Sequence, residues 1–249
     1  MISEAAVATP LPVPSDLRDV VLTLQHAILP LHDRPFELPG LRTAVRYLPA
    51  AAGSRVGGDW YITAEMPDGS VLLAIGDVAG HGLEAAAGMA RLRGALAGLA
   101  ITGASPDRLV GWLNDLVWHV APEHTASVIA GSFDPRSRTL TWSQAGHPPP
   151  LLIRAGAATP VDRPSGVLLG AGRDSYELAT LRLRRDDLLL LYSDGLIERR
   201  DRGIDEGVRL LAAAVGSAAD PEQMISAALG ALGSADAEDD TCLVALAVM

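Results

Sequence analysis

The apolar positions change period several times along the chain, and each change marks an expected element. In residues 16–31, DLRDVVLTLQHAILPL, Leu17, Val20, Val21, Leu24, Ile28 and Leu31 recur at three- and four-residue spacings, the pattern of one apolar helix face. Ser15 and Asp16 are suited to cap this helix and Pro30 to end it. From Leu41 the period shortens: LRTAVRYLPA alternates, and RVGGDWYITAEM and SVLLAIGDV follow on either side of Pro67-Asp68-Gly69, a turn signal that predicts an antiparallel hairpin. Residues 83–99 return to helical spacing through Met89, Leu92, Leu96 and Leu99 among many alanines. A second helix opens at Ser105-Pro106-Asp107 and carries Leu109, Leu113, Leu116 and Val120, with Trp112 as a core-packing residue like Met89. Strands are predicted again at 126–133 and 139–144 around Asp134-Pro135-Arg136. Further strands are predicted at 176–183 and 187–192, then helices over 205–215 and 220–232 and a closing strand at 241–248.

Hairpin-linked strands separated by helices in pairs predict an α+β layered domain rather than a repeating βαβ sheet. With 249 residues, 49% of them hydrophobic, the chain is long enough to bury a sizeable core, and no Gly/Ser/Pro-rich linker divides its middle. Residues 1–15, with three prolines, read as a flexible lead-in, residues 16–40 as an N-terminal helix and connector, and residues 41–249 as the main domain. The helix at 16–31 either packs on that domain or joins two copies as a homodimer. His26 and His32, on or beside it, read as surface residues.

Charge and cysteine content narrow the chemistry. A net charge of −10 argues against a nucleic-acid partner, whose backbone demands clustered Lys and Arg. An acidic chain still takes phosphate when metal ions supply the positive charge. The single cysteine, Cys242, excludes an internal disulfide and reads as a small buried residue in TCLVALAV. No secretory signal opens the chain and no apolar window reaches the ~20 residues of a membrane span. The expectation is therefore a cytoplasmic protein that does not engage a membrane.

Four places set an Asp at a strand edge beside Gly or another acid: Gly58-Asp59, Gly76-Asp77, Ser193-Asp194-Gly195 and Glu238-Asp239-Asp240. Taken singly, each is explained equally well by turn or capping chemistry. Together they offer the oxygen ligands that hard divalent cations such as Mg²⁺ and Mn²⁺ prefer, and four separate Asp sites suffice for two ions. Asp59 and Asp77, on adjacent predicted strands, lie near each other if the hairpin register permits.

The segments VGGDWYI, LLAIGDVAGHGLEAA, QAGHPPPLL, LLLYSDGLIE and EDDTCLVAL resemble, in order, the signature of the SpoIIE-like branch of the PPM (protein phosphatase 2C-like) Ser/Thr phosphatases. LQHAILP and VRYLPA resemble its usual lead-in, so the likeness runs from about Leu24 to Val248. The resemblance implies two packed antiparallel sheets flanked by pairs of helices, in α-β-β-α layers. It also implies hydrolysis of phosphoserine or phosphothreonine with two Mn²⁺ or Mg²⁺ ions, with no protein nucleophile. By the same likeness Asp77 bridges both metals and the Val78 carbonyl completes one of them. Asp194 and Asp239 hold the other, Asp59 binds directly or through water, and Asp240 orients its neighbour.

Three further residues are candidates on chemical grounds. His81, in Gly80-His81-Gly82, is a general acid for the departing serine oxygen, Arg55 a contact for substrate phosphate, and His147 a loop-ordering residue. One position departs from the family, which commonly reads Gly-Gly-Asp-Trp-Tyr-Asp where this chain ends in Ile62. A branched apolar side chain cannot ligate metal, so Ile62 is the feature that favours the alternative of a catalytically silent module that binds a phosphoprotein without turnover. The resemblance further implies a phosphorylated regulatory protein as substrate, an antagonist of an anti-sigma factor. With about 40 residues ahead of the first strand, too few for a sensor domain, control is expected from a separate partner or from the N-terminal helix.

Overall fold

The computed structural model describes residues 28–30, 34–49, 57–121, 124–162, 164–172, 175–199, 202–233 and 239–249. The expected lead-in at 1–15, the helix at 16–31 apart from Ile28, Leu29 and Pro30, and the candidates Arg55, His26, His32 and Glu238 lie outside the described residues.

The described elements run, in chain order, β1 (Phe36–Leu38), β2 (Leu41–Leu48), β3 (Trp60–Glu65), β4 (Val71–Val78), α1 (Leu83–Ala100), α2 (Pro106–Val120), β5 (Ala126–Asp134), β6 (Thr139–Ala145), β7 (Leu151–Arg154), β8 (Ala157–Pro160), β9 (Ala179–Arg182), β10 (Leu188–Tyr192), α3 (Ile204–Val215), α4 (Pro221–Leu232) and β11 (Thr241–Val248). The strands form two antiparallel sheets: a six-stranded one in the order β1-β2-β11-β10-β7-β8, and a five-stranded one in the order β3-β4-β5-β6-β9.

Alternation along the central strands explains the layering. In β10, Leu189 and Leu191 point into a core shared by both sheets, α1 and α2, whereas Leu188, Leu190 and Tyr192 point into a second core built with α3 and α4. β11 splits the same way, with Cys242, Val244 and Leu246 inward and Leu243 and Ala245 outward. Both faces are covered, so LLLLY and TCLVALAV are apolar throughout. The layers are therefore α1/α2, five-stranded sheet, six-stranded sheet, α3/α4, the expected α+β architecture. Among the described residues no helix is long and apolar enough to cross a membrane.

The predicted β3–β4 hairpin is present, with Trp60 opposite Gly76 and Glu65 opposite Val71. Ser105 occupies the N-cap of α2 but makes no side-chain cap bond; at α4 the Asp220 carboxylate does accept the Gln223 N–H, at 2.9 Å. The strand expected at 176–183 shrinks to β9, because Tyr176 is buried in the preceding loop and not paired in the sheet. Three short strands were not expected. β1, β7 and β8 span three or four residues each, too few to display a period.

Candidate metal centre

The β3–β4 register sets the first half of the site. Trp60 pairs with Gly76, and two residues further the Val78 N–H donates to the Gly58 carbonyl at 3.3 Å, so the antiparallel spacing continues past the strand end. Asp59 then stands opposite Asp77 at a position without ladder hydrogen bonds, the closer of the two antiparallel spacings. Asp77 is flanked on its other side by Ser127 of β5.

The second half comes from the six-stranded sheet. β10 ends at Tyr192, and Ser193-Asp194-Gly195 turns away in a short 3₁₀ turn, Asp194–Leu196. Asp239 and Asp240 lead into β11 beside it. The halves approach closely enough to require glycine at Gly57, and Gly195 is required where the two segments of the second half meet. A Cβ on Gly57 would lie 2.7 Å from Asp239 Oδ1 and 3.1 Å from Asp240 Cγ, and one on Gly195 would strike the Asp240 carbonyl and lie 3.4 Å from Asp239 Cβ.

Hydrogen bonds fix the acids against one another. Ser193 Oγ donates to Asp59 Oδ2 at 2.6 Å and accepts from the Cys242 N–H at 2.9 Å. Tyr47 Oη, from β2, donates to Asp240 Oδ2, and the Asp240 N–H donates to Asp239 Oδ1 at 2.8 Å. Asp59 and Asp240 are buried, Asp77 and Asp194 half-buried, and Asp239 sits exposed at the rim.

The electrostatics show mutual repulsion. Burial and then the charges of Asp194, Asp239 and Asp240 push the Asp77 carboxyl up to about 8. Burial and then Asp239 and Glu198 push Asp194 up to about 6. Asp59 is raised well above the carboxylate range by burial, then by Asp77 and Asp240, against the lowering effect of Ser193. Asp239 is raised by burial, with the Asp240 N–H and the charge of His81 acting in the other direction. His81 is exposed, so it stands at the mouth of the cluster beside Asp239.

Among the described residues no three His, Cys, Asp or Glu side chains close on one point as a finished ion cage. The donor set nonetheless suits a hard divalent cation: the acids that dominate one another are oxygen donors from two sheets, and a cation relieves the repulsion that burial magnifies.

Two expectations about neighbouring residues are sharpened. His147 does not line the cluster. It is fully buried, its Nδ1 2.7 Å from Ser127 Oγ and its Nε2 3.1 Å from the Tyr192 carbonyl, and burial pushes its pKa down to about 4. Ile62, three residues beyond Asp59, falls on the opposite face of β3. Its side chain is buried in the core on the side covered by α1 and α2, opposite Ala74, and not among the acids. Sequence reasoning did not single out Tyr47, Ser127 or the hydroxyl of Ser193. The only available signal was the place of Ser193 in Ser193-Asp194-Gly195.

With this geometry established, comparison with known proteins is decisive. The family model for Stage II sporulation protein E (SpoIIE) matches residues 67–249. The chain belongs to the SpoIIE family. The match includes Asp77, Asp194, Asp239 and Asp240, and Asp59 lies just ahead of it. Phosphoserine phosphatase RsbU of Bacillus subtilis (strain 168) is 28% identical over 149 residues, 59% of this chain and 44% of that protein. The crystal structure of the RsbU and RsbW domains of a Mycobacterium tuberculosis protein is 32% identical, with a TM-score of 0.76, covering 85% of this chain and 60% of that one. The chain thus spans less than two thirds of either relative. The PP2C phosphatase domain of SpoIIE from Bacillus subtilis, solved with a fragment of its regulatory domain, shares the fold at a TM-score of 0.71 and 18% identity, covering 86% of this chain and 64% of that one.

Proposed function

We propose that this SpoIIE-family chain hydrolyses phosphoserine or phosphothreonine on a regulatory protein, with two divalent cations, Mn²⁺ or Mg²⁺, held between its sheets. The observation that carries this reading is the meeting of Asp59 and Asp77 from one sheet with Asp194 and Asp239 from the other, acids raised first by burial and then by the charge of neighbouring carboxylates, with Asp239 at the exposed rim.

In this reading Asp77 would serve both ions, assisted by the Val78 carbonyl, Asp194 and Asp239 would serve the second, and Asp59 would bind directly or through water. Asp240, held by Tyr47, orients Asp239 through its own N–H. Bound cations would lower the pKa of water and neutralise charge on the phosphoryl group. His81 stands at the mouth as the proton donor to the departing serine oxygen, and Arg55 is the candidate contact for substrate phosphate. Cys242 offers no nucleophile: it is buried in β11 and its thiol is raised by burial and by Asp59 and Asp240. Ile62 gives the silent-module alternative no support, since it faces away from the acids.

The likeness to a phosphoserine phosphatase supports a phosphorylated protein as substrate, and the proposed one, from the family resemblance, is an antagonist of an anti-sigma factor, with a separate activating partner or pairing through the N-terminal helix as the means of control. The test is release of inorganic phosphate from a phosphoserine protein of that class with increasing Mn²⁺. Turnover that requires the cation and favours the phosphoprotein over small phosphate esters is expected. A chain that takes up Mn²⁺ and hydrolyses neither substrate overturns the proposal, and one that prefers a metabolite ester points to a small-molecule phosphohydrolase.

A further inference from the structure

The two halves of the site belong to different sheets, yet nothing in the ladders of either sheet fixes the gap between them. Among the described residues, two side chains cross it beside the acids. His147, just after β6, reaches from the five-stranded sheet to the last carbonyl of β10. The Tyr192 carbonyl only accepts, so Nε2 carries the proton and donates to it at 3.1 Å, which leaves Nδ1 to accept from Ser127 Oγ at 2.7 Å. Ser127 lies directly opposite Asp77, and Tyr192 lies two residues before Asp194. One imidazole therefore connects the neighbour of one acid to the backbone that carries the other.

Ser193 makes the second crossing. Its hydroxyl takes the Cys242 N–H of β11 and passes its own hydrogen to Asp59 Oδ2 across the gap. Each hydroxyl lone pair and hydrogen in this relay has one direction, so Asp59 is held with one oxygen engaged. Both residues are fully buried, and none of their bonds is made to the solvent.

We propose that His147 and Ser193 are positioning residues, a pair of cross-sheet ties that hold Asp59 and Asp77 at the separation from Asp194 and Asp239 that cation binding requires. This rests on the metal-dependent reading above. Losing a group that orients a metal ligand typically weakens binding about 10- to 100-fold.

The readout is Mn²⁺ affinity itself, from the paramagnetic resonance of free Mn²⁺ titrated with protein, with no substrate present. Ser193→Ala and His147→Phe are expected to weaken Mn²⁺ binding at least about tenfold, and Ser193→Thr, which keeps the hydroxyl, to restore it to within about threefold. Leu190→Ala is the control, a buried change in the outer core that lowers the melting temperature without touching either tie. It is expected to leave affinity unchanged. If His147→Phe does not fold, Ser127→Ala removes a single oxygen from the same tie and is expected to weaken binding too. Wild-type affinity in Ser193→Ala and in the His147 or Ser127 variant overturns the proposal, as does an equal loss in Leu190→Ala. A wild-type chain that takes up no Mn²⁺ would instead overturn the metal reading, and the proposal with it.

Discussion

Asp77 holds its proton up to about pH 8 in the folded chain, against an ordinary value of 3.8, because it is shielded from water and faces Asp194, Asp239 and Asp240. Between those values the cation-free folded state binds a proton that the unfolded state has released, so stability falls as pH rises through the window. In chelator, Asp77→Asn is therefore expected to melt close to wild type near about pH 5 and clearly above it near about pH 8, while hydrolysis drops by about 10³-fold or more. A melting difference that does not grow with pH would contradict the repulsion described here. His147 titrates oppositely, favouring the folded state less as pH falls from 6.5 toward 4, but it is common to both proteins and cancels in the comparison. The Asp residues were legible because Asp beside Gly at a strand end is a visible pattern. Tyr47 and Ser193 were not, since their carboxylate partners lie 193 and 134 residues away, a distance that local pattern does not span.

Among the elements, α2 does more than cover a sheet. Asn114 on its buried face donates to the Gly172 carbonyl at 2.9 Å and accepts the Gly170 N–H at 2.8 Å, fastening the segment after β8 to the helix. Asn114→Ala leaves both backbone groups without that partner in a half-buried setting. The expected loss is about 2 kcal/mol of stability, with faster hydrogen exchange at the Gly170 amide than at amides of β5. Unchanged exchange there would show the segment to be held without Asn114, by the Leu169–Ala126 bridge and the bonds of Gly166 and Pro164 to Gly146 and Gln144. Periodicity identified the described α-helices, because each carries two or more repeats of its apolar spacing, while continuous apolar runs marked β10 and β11. It failed at β1, β7 and β8, which exist because a neighbouring strand offers hydrogen bonds and not because their own residues alternate.

For the whole molecule, the order of strand pairs and helix pairs pointed to layers, but the allotment of strands to sheets stayed hidden. β2 joins β11 near the end of the chain, while β3 and β4, next to it in sequence, belong to the other sheet. That division creates the site, since it puts the acids on opposing layers. A cation that binds only the folded chain adds stability as RT ln(1 + [L]/Kd), about 2.7 kcal/mol at a hundredfold excess over Kd. Mn²⁺ is thus expected to raise the melting temperature progressively with concentration and chelator to reverse it, read by calorimetry; a melting temperature indifferent to Mn²⁺ would contradict the donor set. The seam between the sheets also has a consequence in time. Chain closure over more than a hundred residues is slow compared with the forming of hairpins and helices, so the local pairing that brings Asp59 beside Asp77 is expected to form before Asp194 and Asp239 dock against them. During synthesis the amino-terminal half emerges first and carries only Asp59 and Asp77 of the four acids. A nascent or truncated chain without β11 is therefore expected to take up no cation, and the four acids come together only when β11 takes its place beside β2.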